Sequence, residues 1–158
     1  MAALTPPDFE VPVHAELGAF VFEPLMIGDV IADYDAVMTS VDHIAHTFGP
    51  NATWPNGLTL EQNLIDLGWH HKEFQRRTSF AYKVLEGGAY TGCAYIYPSA
   101  AEGFDAVGYG WVRQSRAELD GALFQAFAGW LRDAWPFAAV AFPGRTQSWD
   151  AWRALAKA

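Results

Sequence analysis

Basic residues are scarce in this chain, and their scarcity excludes one class of partner. The 158 residues hold 10 Lys and Arg against 18 Asp and Glu, a formal net charge of −8. A nucleic-acid-binding domain needs clustered positive charge to neutralise phosphates, and the sequence has no such cluster. We therefore expect no nucleic-acid partner. An acidic surface suits a cationic substrate such as an amine, and it also simply keeps a protein in solution.

Cysteine is nearly absent, and long apolar runs are missing altogether. The one cysteine, Cys93, excludes an internal disulfide and is typical of a reducing compartment. It stands in an apolar run, so we interpret it as a small buried hydrophobic residue. The sequence shows neither a signal peptide nor an apolar stretch long enough to span a membrane. These absences predict a cytoplasmic protein without a membrane partner.

Hydrophobic and aromatic residues are abundant instead. Hydrophobic residues make up 51% of the chain, with 7 Trp, 11 Phe and 6 Tyr among them. A chain of this length buries a substantial core, and no repeat or linker divides it, so residues 1–158 are predicted to form a single domain. Aromatic side chains also line ligand clefts and subunit interfaces. A homodimer is therefore one hypothesis for the aromatic surplus.

The predicted elements alternate between strands and helices after an extended arm over residues 1–17. Asp29 is predicted to cap a first helix that reaches residue 45. Capping boxes at Thr59–Gln62 and Ser115–Glu118 predict the starts of two more helices, the first of which ends near Arg76. The predicted strands cover residues 19–25, 80–85, 91–97, 107–113 and 138–142, and residues 148–157 are an optional terminal helix.

The order of these elements predicts an α/β (α+β) fold with a mixed, mainly antiparallel sheet flanked by helices. Three consecutive strands follow one another through short loops, including a hairpin at Gly87-Gly88, which implies antiparallel pairing. The helix before the last strand implies that this strand runs parallel to the one before the helix.

Two glycines alternate in the strand over residues 107–113, so one face of that strand lacks side chains there. Gly108 and Gly110 have two interpretations of roughly equal weight. They open a groove for a ligand that pairs with the strand, or they make room for Trp130 or Phe127 of the covering helix.

This element order, with two helices after the first strand and a strand-to-helix turn later, resembles the GCN5-related N-acetyltransferase (GNAT) superfamily over roughly residues 20–144. In that family, an acyl-CoA lies between the fourth and fifth strands, which splay apart. Backbone N–H groups at the start of the following helix bind its pyrophosphate. The resemblance implies a shortened, divergent member with the GNAT acyl-CoA N-acyltransferase fold and with acetyl-CoA as co-substrate.

The family's pyrophosphate motif is Gln/Arg-x-x-Gly-x-Gly/Ala. Aligned on Arg113, its two glycines fall at Arg116 and Glu118, so both are replaced. The arginines would supply compensating charge. The resemblance implies cofactor contacts from the backbone of Trp111, Val112 and Arg113 to the pantetheine and from Arg113, Arg116 and Ala117 to the pyrophosphate.

No catalytic residue is assigned. The family commonly uses a tyrosine after the fifth strand as the acid, whereas this chain has only Trp149 and Trp152 beyond Phe142. Tyr95, Tyr97, Tyr109 and Trp111 alternate along two neighbouring strands and either line an acceptor pocket or form the core face of the sheet. Candidate bases acting through water are Glu86, Glu102 and Asp105.

Two histidine-containing pairs have the spacing of metal ligands. His43 and His46 lie one helical turn apart, and Asp66 and His70 are spaced i, i+4. The same positions are where an amphipathic helix carries polar residues, so we predict no metal site. A metal-binding protein remains a third hypothesis.

The first hypothesis is an acyl-CoA-dependent N-acetyltransferase that moves an acyl group to a small amine by direct attack of the amine on the thioester. The second is a non-catalytic GNAT-fold binding or dimerisation module, which the replaced motif glycines favour. The sequence identifies neither the acceptor nor the acyl group.

Overall fold

One sheet of six strands organises the fold, in a computed structural model that describes residues 2–156. The strands are β1 (Ala15–Leu17), β2 (Phe20–Pro24), β3 (Phe80–Glu86), β4 (Ala89–Pro98), β5 (Ala106–Val112) and β6 (Val140–Ala141). Neighbouring strands β1 to β5 pair antiparallel, and β5 and β6 pair parallel. The predicted mixed, mainly antiparallel sheet is therefore confirmed.

Helices cover both faces of this sheet. They are α1 (Val30–Met38), α2 (Val41–Ile44), α3 (Leu60–Arg76), α4 (Asp120–Ala134) and α5 (Trp149–Ala156), with short 3-10 segments at Ile27–Asp29 and Gln114–Leu119. The predicted terminal helix is confirmed up to residue 156, and Lys157 lies outside the described residues. Over residues 2–156 no helix has the length and apolar character needed to cross a membrane.

The predicted single helix over residues 29–45 is wrong, because the chain breaks at Thr39-Ser40 into α1 and α2. The Thr39 hydroxyl donates to the Asp35 carbonyl at 2.7 Å, a local bond of the kind that disturbs helix continuation. Asp29 does not cap α1 through its side chain. Its carboxylate accepts instead from the Met26 N–H at 2.8 Å and from Lys83 Nζ at 2.7 Å.

The capping box predicted for α3 is confirmed in both directions. The Gln62 N–H donates to Thr59 Oγ1 at 3.1 Å, and the Thr59 N–H donates to Gln62 Oε1 at 3.0 Å. The helix ends at Arg76, followed by Arg77 in the left-handed region at φ 61°. Two leucines of this helix, Leu60 and Leu64, are exposed.

Strand alternation divides the core between the two faces of the sheet. The face under α4 holds the larger cluster, which includes Phe22, Tyr82 and Trp130. The opposite face, under α1 and α3, holds Tyr95 and Trp111 together with the fully buried Cys93. The interpretation of Cys93 as a buried hydrophobic residue is confirmed.

The N-terminal arm packs on the body of the molecule. Arg77 Nη2 donates to Thr5 Oγ1 at 2.8 Å, to the Pro6 carbonyl at 2.6 Å and to the Phe9 carbonyl at 2.8 Å. The Phe9 ring lies 5.2 Å from that of Trp135. The end of the predicted arm is itself a short strand, β1, which pairs with β2.

Candidate functional site

Strands β5 and β6 pair over only two residues and then part. The register joins Ala106 with Val140 and Val107 with Ala141, after which β6 ends and the chain turns through Pro143-Gly144. From Gly108 onward, β5 has no strand on that edge among the described residues. The parting strands border a cleft of about 310 Å³.

The two glycines of β5 differ in their surroundings. A Cβ built at Gly108 would stand 2.6 Å from Phe142 Cε1 and 3.1 Å from Phe127 Cε2, so this glycine makes room for core rings. A Cβ at Gly110 would meet only the Cys93 carbonyl oxygen, at 3.4 Å. The packing interpretation is confirmed at Gly108, where Phe127 and Phe142 rather than Trp130 use the space. Gly110 borders an open groove, and a ligand there stays a prediction.

An arginine spans the open end of the gap. Arg145 donates from Nη1 and Nη2 to the two carboxylate oxygens of Asp120, each at 2.9 Å, and from Nη2 to the Gly110 carbonyl at 3.3 Å. Its guanidinium carbon lies 5.0 Å from the centre of the Phe124 ring. The Arg145 hydrogen bonds hold the pKa of Asp120 below its usual range. Sequence reasoning missed this pair, whose only signals were an arginine after Pro143-Gly144 and an aspartate at a helix start.

The two arginines predicted for the pyrophosphate are engaged elsewhere. Arg113 Nη2 pairs with Asp35 at 2.8 Å, and Arg116 pairs with Glu86 at 2.8 Å and with Glu118 at 3.0 Å. Neither arginine lines the cleft. Each guanidinium charge is thus already balanced by a carboxylate.

The turn after β5 differs from the predicted one. The Ser115–Glu118 capping box is wrong: the N-cap residue of the Gln114–Leu119 segment is Arg113, whose side chain does not cap it, Arg116 interrupts the segment at φ −128°, and Glu118 accepts from the Arg116 side chain. The Gln114 N–H donates to Ser40 Oγ at 2.9 Å. Ala117 is exposed at this turn, and its backbone contact with a pyrophosphate stays a prediction.

The predicted pantetheine residues occupy the end of the unpaired edge of β5. Trp111 and Val112 both border the cleft, while their side chains are buried on opposite faces of the sheet. Trp111 Nε1 donates to the Tyr95 hydroxyl at 2.8 Å. The role of their backbone groups stays a prediction.

Titratable side chains from three elements meet at the cleft. His43 and His46 reach it from α2 and the turn after it, and Tyr109 reaches it from β5. The Tyr109 ring stacks on Trp149, with centroids 6.4 Å apart. Burial raises the pKa of the Tyr109 hydroxyl, so it stays protonated at neutral pH. The two histidines, whose one-turn spacing was weighed as a metal signal in the sequence, both border the cleft.

Other residues weighed from the sequence do not gather at the cleft. Glu86 is paired with Arg116, and Asp105 accepts from the Ala138 and Ala139 N–H groups at 2.5 and 3.1 Å. Glu102 is exposed and also lies outside the cleft lining. Within residues 2–156, no group of three or more His, Cys, Asp or Glu side chains is placed to hold a metal ion.

Comparisons with solved structures identify the fold. RimL, a ribosomal L7/L12 alpha-N-protein acetyltransferase solved in complex with coenzyme A, matches at a TM-score of 0.61 and 14% identity, covering 75% of this chain and 67% of that one. The ribosomal-protein-S5-alanine acetyltransferase from Vibrio fischeri matches at 0.58 and 13% identity, covering 76% and 67%. The microcin C7 self-immunity acetyltransferase MccE, in complex with acetyl-CoA and AMP, matches at 0.58 and 8% identity, covering 78% and 68%.

These similarities show the GNAT fold, as the element order predicted. The chain spans only about two thirds of the length of the L7/L12 acetyltransferase structures, between 64% and 67%. No protein-family model matches the sequence, and no curated protein gives a significant match.

Proposed function

We propose, from the GNAT fold that this chain has, that it is a divergent acyl-CoA-dependent N-acetyltransferase whose acceptor is a small amine. One observation carries the proposal: β5 and β6 separate after two residue pairs and leave the edge of β5 open along a cleft. An open strand edge offers backbone N–H and C=O groups to an extended ligand. The amide-containing pantetheine arm of acetyl-CoA is such a ligand.

Arg145 borders this cleft, as Arg113 and Arg116 do not, although its charge is also balanced by a carboxylate, that of Asp120. Its guanidinium has five donors, of which two serve Asp120 and one reaches the Gly110 carbonyl. A phosphate group at the mouth of the gap would find the remaining donors. If the pantetheine arm pairs with β5, an amide of that arm would replace Arg145 as the hydrogen-bond donor to the Gly110 carbonyl.

The chemistry needs a proton acceptor and a proton donor at the cleft. The acceptor amine loses a proton to His43 or His46, its nitrogen attacks the thioester carbonyl carbon, and the carbon–sulfur bond then breaks. The leaving CoA thiolate takes a proton from the Tyr109 hydroxyl. The histidine then releases the proton it took from the amine, and this proton returns through solvent to the Tyr109 oxygen. Correct positioning of the amine supplies most of the remaining acceleration.

A second candidate function is a non-catalytic module of the same fold. It is favoured by the replaced motif glycines at Arg116 and Glu118 and by the ion pairs that occupy both arginines of the turn. Such a module would bind partners without turning over acetyl-CoA.

Calorimetric titration with acetyl-CoA, followed by an assay for released thiol, separates the two candidates. The proposal expects saturable binding, and thiol release that depends on an added small amine. Because two of the similar structures are ribosomal-protein acetyltransferases, a peptide with a free N-terminus is tested beside the small amine. Transfer to the peptide alone would overturn the acceptor class. Binding without turnover on either acceptor would favour the module, and absence of binding would remove the transferase.

Binding should also respond to filling the groove. Gly110→Leu places a side chain in the space beside β5 and is expected to abolish acetyl-CoA binding, whereas Gly110→Ala retains most of it. Circular dichroism of both variants checks that the fold persists.

A further inference from the structure

A second cavity, separate from the cleft, lies between α1, α3, β4 and the loop over residues 48–58. It has a volume of about 210 Å³. Four aromatic rings form much of its wall, those of Phe48, Trp54, Tyr95 and Tyr97. The rings of Phe48 and Trp54 meet edge to face at 5.3 Å, and Tyr95 and Tyr97 stack at 6.2 Å. Several π faces of different orientation therefore border one small space.

Two carboxylates belong to the same cavity. Asp33 lies in its floor with only 3% of its surface exposed, and Asp66 lies at the exposed rim. Asp33 accepts from Asn63 Nδ2 at 2.9 Å, from the Tyr90 hydroxyl at 2.5 Å and from Cys93 Sγ at 3.5 Å. All three donors are neutral, so they satisfy the hydrogen bonds of this carboxylate without balancing its charge.

Among the described residues, no cation balances these carboxylates. Over that part of the chain, neither Asp33 nor Asp66 forms an ion pair with Lys, Arg or His. His70 also lines the cavity, but burial lowers its pKa to about 4, so the ring is neutral at pH 7. The cavity therefore combines two carboxyl groups with π faces, and its lining carries no positive charge from residues 2–156. Burial raises the pKa of both carboxyls, and a bound cation would favour their ionised forms.

We propose that this cavity binds a compact organic cation, an alkylammonium or quaternary ammonium group. Such cations are attracted to the faces of aromatic rings, and aromatic cages are the usual protein solution for binding them. A buried carboxylate beside the rings adds a direct charge interaction that a low dielectric strengthens. A neutral ligand of the same shape gains neither interaction.

The size and position of the cavity indicate which part of a ligand it takes. Whole small-molecule sites occupy roughly 300–1,000 Å³, so the 210 Å³ cavity fits one group of a larger molecule. Phe48 lies between the cavity and the cleft, since its ring lies 5.2 Å from Tyr95 and 5.3 Å from the cleft residue Tyr109. The acceptor is then a diamine, with one amine at the thioester and the other cation held here; this step rests on the proposed function.

Choline and its neutral isostere 3,3-dimethylbutan-1-ol test the cavity on the full chain without acetyl-CoA. The proposal expects saturable choline binding in calorimetry and at least tenfold weaker binding of the isostere. Asp33→Asn and Trp54→Leu should each weaken choline binding about tenfold. Trp69→Leu, which replaces an exposed tryptophan on α3 outside the cavity, should leave it unchanged. Absence of saturable binding, equal affinity for the isostere, or full affinity in both cavity variants overturns the proposal.

Tyr97→Leu at the cavity mouth replaces Trp54→Leu if the latter fails to fold. The diamine step is tested separately, by comparing kcat/KM for 1,4-diaminobutane and butylamine with acetyl-CoA. A preference for the diamine that Asp33→Asn removes supports it, and equal values overturn it. If neither amine is acetylated, the proposed function and the diamine step both fail, while the choline titration still decides whether the cavity binds cations.

Discussion

Gly108 and Gly110 lie two residues apart on the same face of β5, and the same substitution should affect them differently. Gly108→Ala drives a methyl group into Phe142 and Phe127, which should lower the free energy of unfolding by about 1–3 kcal/mol. The methyl group of Gly110→Ala meets only a carbonyl oxygen at 3.4 Å, so this variant should change the free energy of unfolding by less than about 0.5 kcal/mol. Urea denaturation of both variants measures the difference. Equal destabilisation would contradict the assignment of packing to one glycine and open groove to the other.

His70 gives the stability of the protein a pH dependence of known sign. Burial lowers its pKa from 6.5 to about 4 in the folded state, so the unfolded chain binds the proton more readily. Its stabilising contribution is present above pH 6.5 and is lost as the pH falls towards 4. The slope reaches at most about 1.4 kcal/mol per pH unit.

Thermal unfolding of the wild type and of His70→Gln between pH 7.5 and pH 4 tests this expectation. As the pH falls, the unfolding midpoint of the wild type should drop more than that of the variant, because only the wild type carries the buried imidazole. Burial raises the pKa of Asp33 and of Asp66, which acts with the opposite sign, but both carboxyls are common to the two proteins. A difference that does not change with pH would contradict a buried neutral imidazole.

At the scale of elements, local chemistry was readable from the sequence, and contacts between distant residues were not. The α3 start was predictable because its capping box involves residues three apart, Thr59 and Gln62. A similar box at Ser115 failed because Glu118 has a stronger partner in Arg116, a cation that also pairs with Glu86. Sequence spacing alone does not show which of two partners a carboxylate takes.

The lengths of the strands were least predictable where they depend on a neighbour. β6 was predicted over residues 138–142 from its apolar run, but only Val140–Ala141 pairs with β5. Phe142 leaves the strand to pack its ring over Gly108. The early end of β6 is what opens the cleft, and a pattern of apolar residues does not show where a strand stops pairing.

The capping box should contribute measurably to α3. Thr59→Ala removes the acceptor of the Gln62 N–H bond and should lower the free energy of unfolding by about 1 kcal/mol. Thr59→Ser keeps the hydroxyl and should remain within about 0.5 kcal/mol of the wild type. Denaturant titrations compare the two. An alanine variant as stable as the serine variant would show that tertiary packing alone sets the start of the helix.

For the whole molecule, the order of elements was enough to predict the GNAT fold, although the chain is only 8–14% identical to RimL, the S5-alanine acetyltransferase and MccE. The element order did not show which arginines border the cleft where the pyrophosphate was predicted. Arg113 is held by Asp35, 78 positions away in the sequence, and Arg145 by Asp120, 25 positions away. Only the folded chain shows which guanidinium groups border the cleft.

The central claim is that acetyl-CoA enters where β5 and β6 part, and amide hydrogen exchange with and without acetyl-CoA measures this directly. We predict that saturating acetyl-CoA slows exchange in residues 108–113 at the unpaired edge of β5. The hairpin between β3 and β4, at Gly87-Gly88, serves as an internal control that should not change. Unchanged exchange over residues 108–113 with bound acetyl-CoA, or protection confined to another part of the chain, would contradict the claim.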